Sequence, residues 1–312
     1  MKEIGGYFGL ETFSGEEYYT DLLRLNSARN AMRYLLRARQ IRKLYIPFNL
    51  CGCIAQVCED NGCPYEYYHT DERFLPEFDK KPGESEYLLV VNYYGQIDQP
   101  TVRRLKERYG NIILDNTQAF FQRPIPGVDT FYSCRKYFGV PDGSYLSTGA
   151  RLPEALETDL SGDRMRHILG RFEETAEKYY PRYAENENGF DVRELRAMSE
   201  LTRNLLRAID YDRVRERRTV NFSFLHENLK SRNRLELTIP EGPFAYPLYS
   251  EDGPELRKRL AQEKIYVPLL WPDAAESDRP MERNYMQNIL PLPCDQRYDL
   301  ADMERILAAI NQ

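Results

Sequence analysis

The chain has no apolar run approaching the ~20 residues that span a bilayer, so no membrane segment is expected. Nor has it a sustained basic block. Lys and Arg number 43 against 49 Asp and Glu, a net charge of −6, which leaves no electrostatic footprint for nucleic acid. The opening, MKEIGGYFGLETFSGEE, is acidic where an export signal needs a positive head and an apolar core, so the protein is expected in the cytoplasm. Six cysteines (51, 53, 58, 63, 134 and 294) are too few for a disulfide framework in 312 residues and should stay reduced. Four of them fall in CGCIAQVCEDNGC, whose spacings of one, four and four miss the paired C-x-x-C of zinc sites; packing on a strand and a helix is the reading, and no metal is expected. There is no G-x-x-x-x-G-K loop and no G-x-G-x-x-G after a strand, so the common nucleotide signatures are missing. The three histidines (69, 167, 226) have no serine or cysteine elbow, which leaves Ser-His and Cys-His nucleophiles unsupported.

What is present is alternation. KLYIPF reads as a buried strand, GCIAQVCEDNG as an amphipathic helix ended by Gly62, and PYEYYHT as the next strand. SEYLLVVNYYG is another strand, QPTVRRLKERYG a helix stopped by Gly110, and NIILDN a further strand. Strand, helix, strand at this spacing means crossover units and an α/β fold with a mostly parallel sheet. Ligands bind at the carboxyl ends of such strands, and Asp115 and Asn92 sit at two of them. Beyond about residue 153 come long charged helical stretches, RMRHILGRFEETAEKYY and a second from Val192 that should break near Tyr211. FAYPLYS, GPELRKRLAQEKI, YVPLLWP and LADMERILAAINQ then form a smaller α+β lobe. The expected division is a large α/β domain over residues 1–190, then linking helices and a small C-terminal domain over 191–312. The run RVRERR is expected to be a solvated helix face, and ENENGF a loop.

The surviving chemical constellation is a strand-end carboxylate, a serine and a lysine. A lysine can form an imine with an aldehyde, and a buried carboxylate can keep a pyridine nitrogen protonated, which is what pyridoxal phosphate enzymes need. Lys136 lies between FYSC and YFG, where burial favours the reactive neutral amine. Ser133 could offer a hydroxyl to the cofactor phosphate. In LRLNSARNAMRYLLRAR, Ser27 is a good helix N-cap, and the free amides of Ala28 and Arg29 would make an anion site backed by the helix dipole. Each residue also has a plainer reading: Ser27 as a simple cap, Asp115 as a cap of the next turn, Gln118 as a surface amide, and Asn92 with Tyr93 as turn residues before Gly95.

The sequence resembles the DegT/DnrJ/EryC1/StrS family of fold-type I pyridoxal phosphate enzymes, the sugar aminotransferases, through most of its length. LNSARNAMRYLL is similar to the family's phosphate-binding helix start and ILDNTQAFF to its Asp-Ala-Ala-Gln/His run; SCRKYFGVPDGSYLSTG resembles the lysine segment, AMSELTRNLL the helix after it, and RLAQEKIYVPLLWP the small-domain strand. The resemblance implies a homodimer with shared active sites, using pyridoxal 5'-phosphate to move an amino group from glutamate or glutamine to a nucleotide-linked keto-sugar. That activity would serve cell-surface polysaccharide assembly. Lys136 would hold the cofactor and shuttle the proton, Asp115 would face the ring nitrogen, and Gln118 the ring hydroxyl side. Ser133, Ser27, Ala28 and Arg29 would hold the phosphate, and Asn92 and Tyr93 would face substrate. The chain departs from the family pattern in places. Phe131 stands where many members have a serine, LRA (195–197) replaces the segment that crosses the dimer, and Leu50 or Cys51, with Phe48 displaced, takes the place of the aromatic over the ring. A dehydratase of the family would have histidine in place of Lys136. The rival from another class is a binding or regulatory dimer of this fold that has lost the cofactor.

Overall fold

The computed structural model describes residues 4–190 and 194–312. Strand β1 (Leu23–Leu25) leads into helix α1 (Ala28–Ala38), followed by β2 (Lys43–Pro47), α2 (Cys53–Asp60), β3 (Tyr65–Thr70), β4 (Pro76–Glu77), β5 (Glu86–Val91), α3 (Gln99–Tyr109), β6 (Ile112–Asp115), β7 (Asp129–Ser133) and β8 (Ser144–Ser147). These eight strands form one sheet in the order β1-β8-β7-β6-β5-β2-β3-β4. The central pairs β3/β2, β2/β5, β5/β6 and β6/β7 are parallel, while β7/β8, β1/β8 and β3/β4 are antiparallel. From β2 the chain winds outward to β3, and from β5 it winds the other way through β6 and β7, so strand order reverses between β2 and β5. In open α/β sheets, ligands bind in the crevice at that reversal.

Local chemistry accounts for the element boundaries. Ser27 is extended (φ −159°) and its hydroxyl accepts the amide of Asn30 at 3.1 Å, which starts α1. Asp98 caps α3 through the Thr101 amide at 2.9 Å, Pro100 fits its first turn, and Gly110 (φ +76°) ends it. The sheet interior is apolar on both faces, with Leu88, Leu89, Val90, Ile112, Ile113 and Leu114 at most 1 % exposed, as strands covered by helices on both sides require.

After the sheet, α4 (Arg166–Glu173) and α5 (Ala176–Gly189) pack as an antiparallel pair, and α6 (Glu200–Leu206) and α7 (Tyr211–Leu229) lead to a second core. That core gathers β9 (Tyr246–Tyr249) and β10 (Ile289–Leu292), an antiparallel pair, with α7, α8 (Gly253–Gln262) and α10 (Leu300–Ile310). Helix α9 (Pro280–Asn288) returns to the first core through Tyr285.

The strands and helices expected between residues 43 and 115 are all present, and the long charged stretch does break just before Tyr211. Four expectations are corrected. ENENGF is not a loop: it forms the end of α5 and its cap, with Phe190 1 % exposed beneath the Arg135 guanidinium, 4.0 Å from its ring. Tertiary burial there overrides weak helix propensity. YVPLLWP is not a strand, because Pro268 and Pro272 remove donors from a ladder; β10 pairs with β9 instead. The helix expected from Val192 begins outside the described residues, and residues 194–198 form no helix, α6 starting only where Ser199 caps it. Finally, RVRERR is only partly solvated, since Arg218 is 2 % exposed.

Candidate active site

A cavity of about 850 Å³ lies at the carboxyl ends of β5, β6 and β7, bounded by the start of α1 on one side and by the second core on the other. Ser27, Ala28, Arg29, Asp115, Gln118, Ser133 and Lys136 all line it. The sheet brings them together: β6 ends at Asp115 and β7 at Ser133, after which one tight turn, Cys134–Lys136, puts the lysine on the wall.

Lys136 is not buried, contrary to the expectation from its apolar neighbours. Its side chain is exposed to the cavity, and its Nζ donates to the Thr117 hydroxyl at 2.9 Å and lies 5.8 Å from the centre of the Phe244 ring. The flanking aromatics are the buried ones, with Tyr137 and Phe138 packed around Phe120. Asp115 is buried and accepts the Thr117 amide at 2.8 Å. Burial pushes its carboxyl above the ordinary range, while the nearby Lys136 charge and the hydrogen bonds from Thr117 pull the other way. Thr117 thus bridges the amine and the carboxylate. Nothing in ILDNTQAFF marks it over its neighbours, so sequence reading missed it.

The amides at the start of α1 face the same cavity from an 11-residue helix, a setting suited to an anion. Cationic side chains add to this. Arg135 pairs with Glu187, and burial holds its guanidinium down to about 10. Arg29 donates to the Glu187 carbonyl at 3.5 Å, and Arg171 and Arg297 stand at the wall. Gln118 uses its amide oxygen to accept the Tyr94 amide at 2.7 Å, fixing a turn in which Tyr94 takes a left-handed φ of +54°.

Asn92 and Tyr93 do not reach the cavity. The Asn92 side chain is spent on the Ile97 backbone (2.8 and 3.2 Å), Asn116 (3.0 Å) and Gln122 (2.9 Å), and the Tyr93 hydroxyl donates to the Asn49 carbonyl at 2.8 Å. Strand-end position alone suggested them; the turn after β5 faces them inward. Leu50 and Cys51 do line the wall, while Phe48 stacks on Tyr67 and His69, outside it. A hydrogen bond from the Cys53 thiol, helped by the Arg29 and Lys136 charges, brings the Cys51 thiol down to about 6. Trp271, in a left-handed conformation (φ +53°), closes part of the wall and packs edge-on against Tyr93 at 4.9 Å.

No protein-family model matches the chain, and no curated protein matches it in sequence. Solved structures do. A DegT DnrJ EryC1 StrS aminotransferase from Brucella abortus superposes with a TM-score of 0.63 at 15% identity, over 93% of this chain and 85% of that one. NtdA from Bacillus subtilis, with bound cofactor PMP, gives 0.65 at 15% identity over 95% and 74%. Helicobacter pylori PseC, an aminotransferase in the biosynthesis of pseudoaminic acid, gives 0.63 at 10% identity over 96% and 98%. The chain has the fold of these structures. Identities this low speak for the α/β fold and its mostly parallel sheet.

Within this fold, the residue that sequence reading misplaced most is Arg218. It belongs to a basic run of the kind usually found on solvated faces, yet it lines the cavity, and burial lowers its proton affinity. The surrounding charges gave no sign of it; only the position of Arg218 on the same helical face as Val214 and Phe222, both buried, could have.

Proposed function

We propose that this protein is a pyridoxal phosphate-dependent aminotransferase acting on a nucleotide-linked keto-sugar for cell-surface polysaccharide assembly. The observation that supports it most is the hydrogen-bonded series Lys136, Thr117, Asp115 on the wall of a cavity whose other side is the α1 N-terminus. An amine, a buried carboxylate and an anion site are the three things this cofactor needs. When bound, pyridoxal phosphate supplies an aldehyde carbon and a ring that withdraws electrons.

The chain's own residues have separable tasks. The α1 amides and Arg29, with Ser133, hold phosphate. Asp115 would hold the positively charged ring nitrogen; a carboxyl that burial makes reluctant to ionise gains most from a cation placed beside it. The Lys136 Nζ removes the proton from the amino donor's α-carbon and returns one to the sugar carbon that receives nitrogen. The Thr117 hydroxyl, accepting from Nζ, restricts where that amine points. Gln118 supports the ring's hydroxyl side. The cavity has room for more than a cofactor, and the cations Arg171 and Arg297 on its wall would suit a diphosphate.

The reading includes a cytoplasmic homodimer. Leu160, Phe172 and Tyr180 are 85%, 90% and 64% exposed on and beside the α4/α5 pair, a grouping a second copy could cover, and Phe172 also reaches the cavity. Sedimentation of the purified protein checks this part separately.

The test is the visible spectrum of the protein with added pyridoxal phosphate, before and after borohydride, with the modified peptide located by mass spectrometry. A band removed by borohydride and an adduct on Lys136 are expected, followed by amino transfer from glutamate or glutamine to keto-sugar nucleotides. No band and no adduct would reject the enzyme reading in favour of the binding or regulatory dimer.

A further inference from the structure

Among the described residues, Lys136 makes one hydrogen bond through its side chain, so its aim depends on the backbone that presents it. That backbone is a turn closed by the Tyr137 and Phe138 amides on the Cys134 carbonyl (3.0 and 2.9 Å). On its exit side, the Tyr137 carbonyl accepts two donors from far along the chain: Arg218 Nη2 at 3.2 Å and Gln296 Nε2 at 2.7 Å. Arg218 Nε in turn donates to Gln296 Oε1 at 2.7 Å, and its Nη1 donates to the Pro243 carbonyl at 2.9 Å and the Phe244 carbonyl at 3.4 Å. The guanidinium carbon sits 4.4 Å from the centre of the Tyr137 ring.

One buried cation on α7 therefore ties together the lysine turn, the entry to β9 and the segment after β10. Its hydrogen bonds, among the described residues, all go to neutral oxygens. A buried cation without a bonded carboxylate is costly, and an apolar side chain would fill the same space at less cost. A guanidinium fork, in contrast, reaches several acceptors in fixed directions.

We infer that Arg218, together with Gln296, is a positioning residue that fixes the Lys136 turn against the second core, so that the amine is presented at one place on the cavity wall. Phe244, whose carbonyl accepts from Arg218, also lies beneath the Lys136 amine. The 291–297 segment contributes Pro291, Asp295 and Arg297 to the same wall. A ligand that moves this segment thereby moves the lysine turn through Gln296 and Arg218. The inference rests on the catalytic reading of Lys136, and its test is built to separate the two.

The experiment uses Gln296→Ala, Gln296→Glu and Arg218→Lys. Gln296→Glu keeps an acceptor for Arg218, now as an ion pair, while an ionised carboxylate cannot donate to the Tyr137 carbonyl, so a rise in exchange in this variant reports the loss of that bond. Two quantities are read: backbone hydrogen exchange of the cofactor-free proteins by mass spectrometry, and the rate of borohydride-trapped pyridoxal phosphate appearing on Lys136. Both Gln296 variants are expected to raise exchange in peptides covering 134–140 by about tenfold, the worth of one net hydrogen bond. Trapping should slow by a similar factor, with peptides covering 300–310 unchanged. Arg218→Lys should have the larger effect; if it fails to fold, the Gln296 pair still decides. Wild-type exchange at 134–140 in both Gln296 variants, or a uniform rise across the chain, overturns the inference. If the wild-type protein takes no cofactor on Lys136, the catalytic reading fails, and the exchange data still decide the clamp.

Discussion

Removing the Asp142 carboxylate should loosen the segment just beyond the lysine by an amount the structure allows to be worked out. Asp142 is fully buried. One oxygen accepts the Ser199 amide at 3.0 Å; the other accepts the Ser199 hydroxyl at 2.8 Å and the Thr202 hydroxyl, and Arg164 stands 3.8 Å away. Asp142→Ala orphans the Ser199 amide, which costs about 1–3 kcal/mol. The Ser199 hydroxyl still has Ser161 at 2.6 Å and the Thr202 amide at 3.1 Å, so its loss is smaller. Adding the Thr202 hydroxyl bond at about 1 kcal/mol, and allowing for the charge no longer buried, the net destabilisation is about 2–4 kcal/mol. At about 2–4 °C per kcal/mol, this lowers the melting temperature by roughly 4–16 °C. Asp142→Asn keeps an acceptor and the volume and should cost much less at neutral pH. Burial pushes the Asp142 carboxyl up, against the hydrogen bonds from Thr202 and Ser199 and the charge of Arg164. The folded state therefore binds that proton more tightly than the unfolded state. Its contribution falls as pH rises from the ordinary carboxylate range through the raised value. The gap between wild type and Asp142→Asn should accordingly narrow with rising pH. Urea unfolding at several pH values measures all of this. An Asp142→Ala midpoint equivalent to less than about 0.5 kcal/mol from wild type, the size of an ordinary surface change, would refute the reasoning.

Lys136→Ala gives up one hydrogen bond, so melting should shift by only a few degrees while turnover falls at least ~10²–10⁴-fold; retained amino transfer would remove Lys136 from the chemistry. Asp115→Asn should flatten the same kind of pH slope and stabilise the cofactor-free protein toward high pH, because burial raises that carboxyl too. Melting curves at acid and alkaline pH read this, and a cofactor titration should show weaker binding. Iodoacetamide at neutral pH should label Cys51 first, since its thiol is exposed and held near 6 whereas Cys58, Cys134 and Cys294 are buried and pushed up. Peptide mapping that finds a buried thiol labelled ahead of it would contradict the described wall, and pyridoxal phosphate should protect it.

The parts of the fold that could be read from the sequence are those where local chemistry and burial agree. β2, β5 and β6 are apolar on both faces, and α3 has its cap and its stop in the chain itself, so pattern and structure coincide. YVPLLWP and ENENGF failed for opposite reasons: two prolines deny the first a ladder, and contacts with Arg135 turn the second into helix. At the site, Ser27, Asp115 and Lys136 stood out because a helix cap, a strand end and a lysine segment each have a short-range signature. Thr117 has none, and Arg218 has only its spacing of four from the buried Val214 and Phe222. Their importance comes from partners 19 and 81 residues away in the chain, and only the folded arrangement supplies those.

The wall of the cavity holds the chain's sole tryptophan, set among Tyr93, Tyr94 and Phe74. With 24 tyrosines in the chain, light chosen to excite indole alone reports from one place. Trp271 therefore makes the unlabelled protein its own optical sensor: a chromophore entering the cavity can quench it by energy transfer, and a colourless sugar can shift its emission by displacing water from the indole. Binding can thus be followed apart from turnover, on a signal that originates at a single known residue.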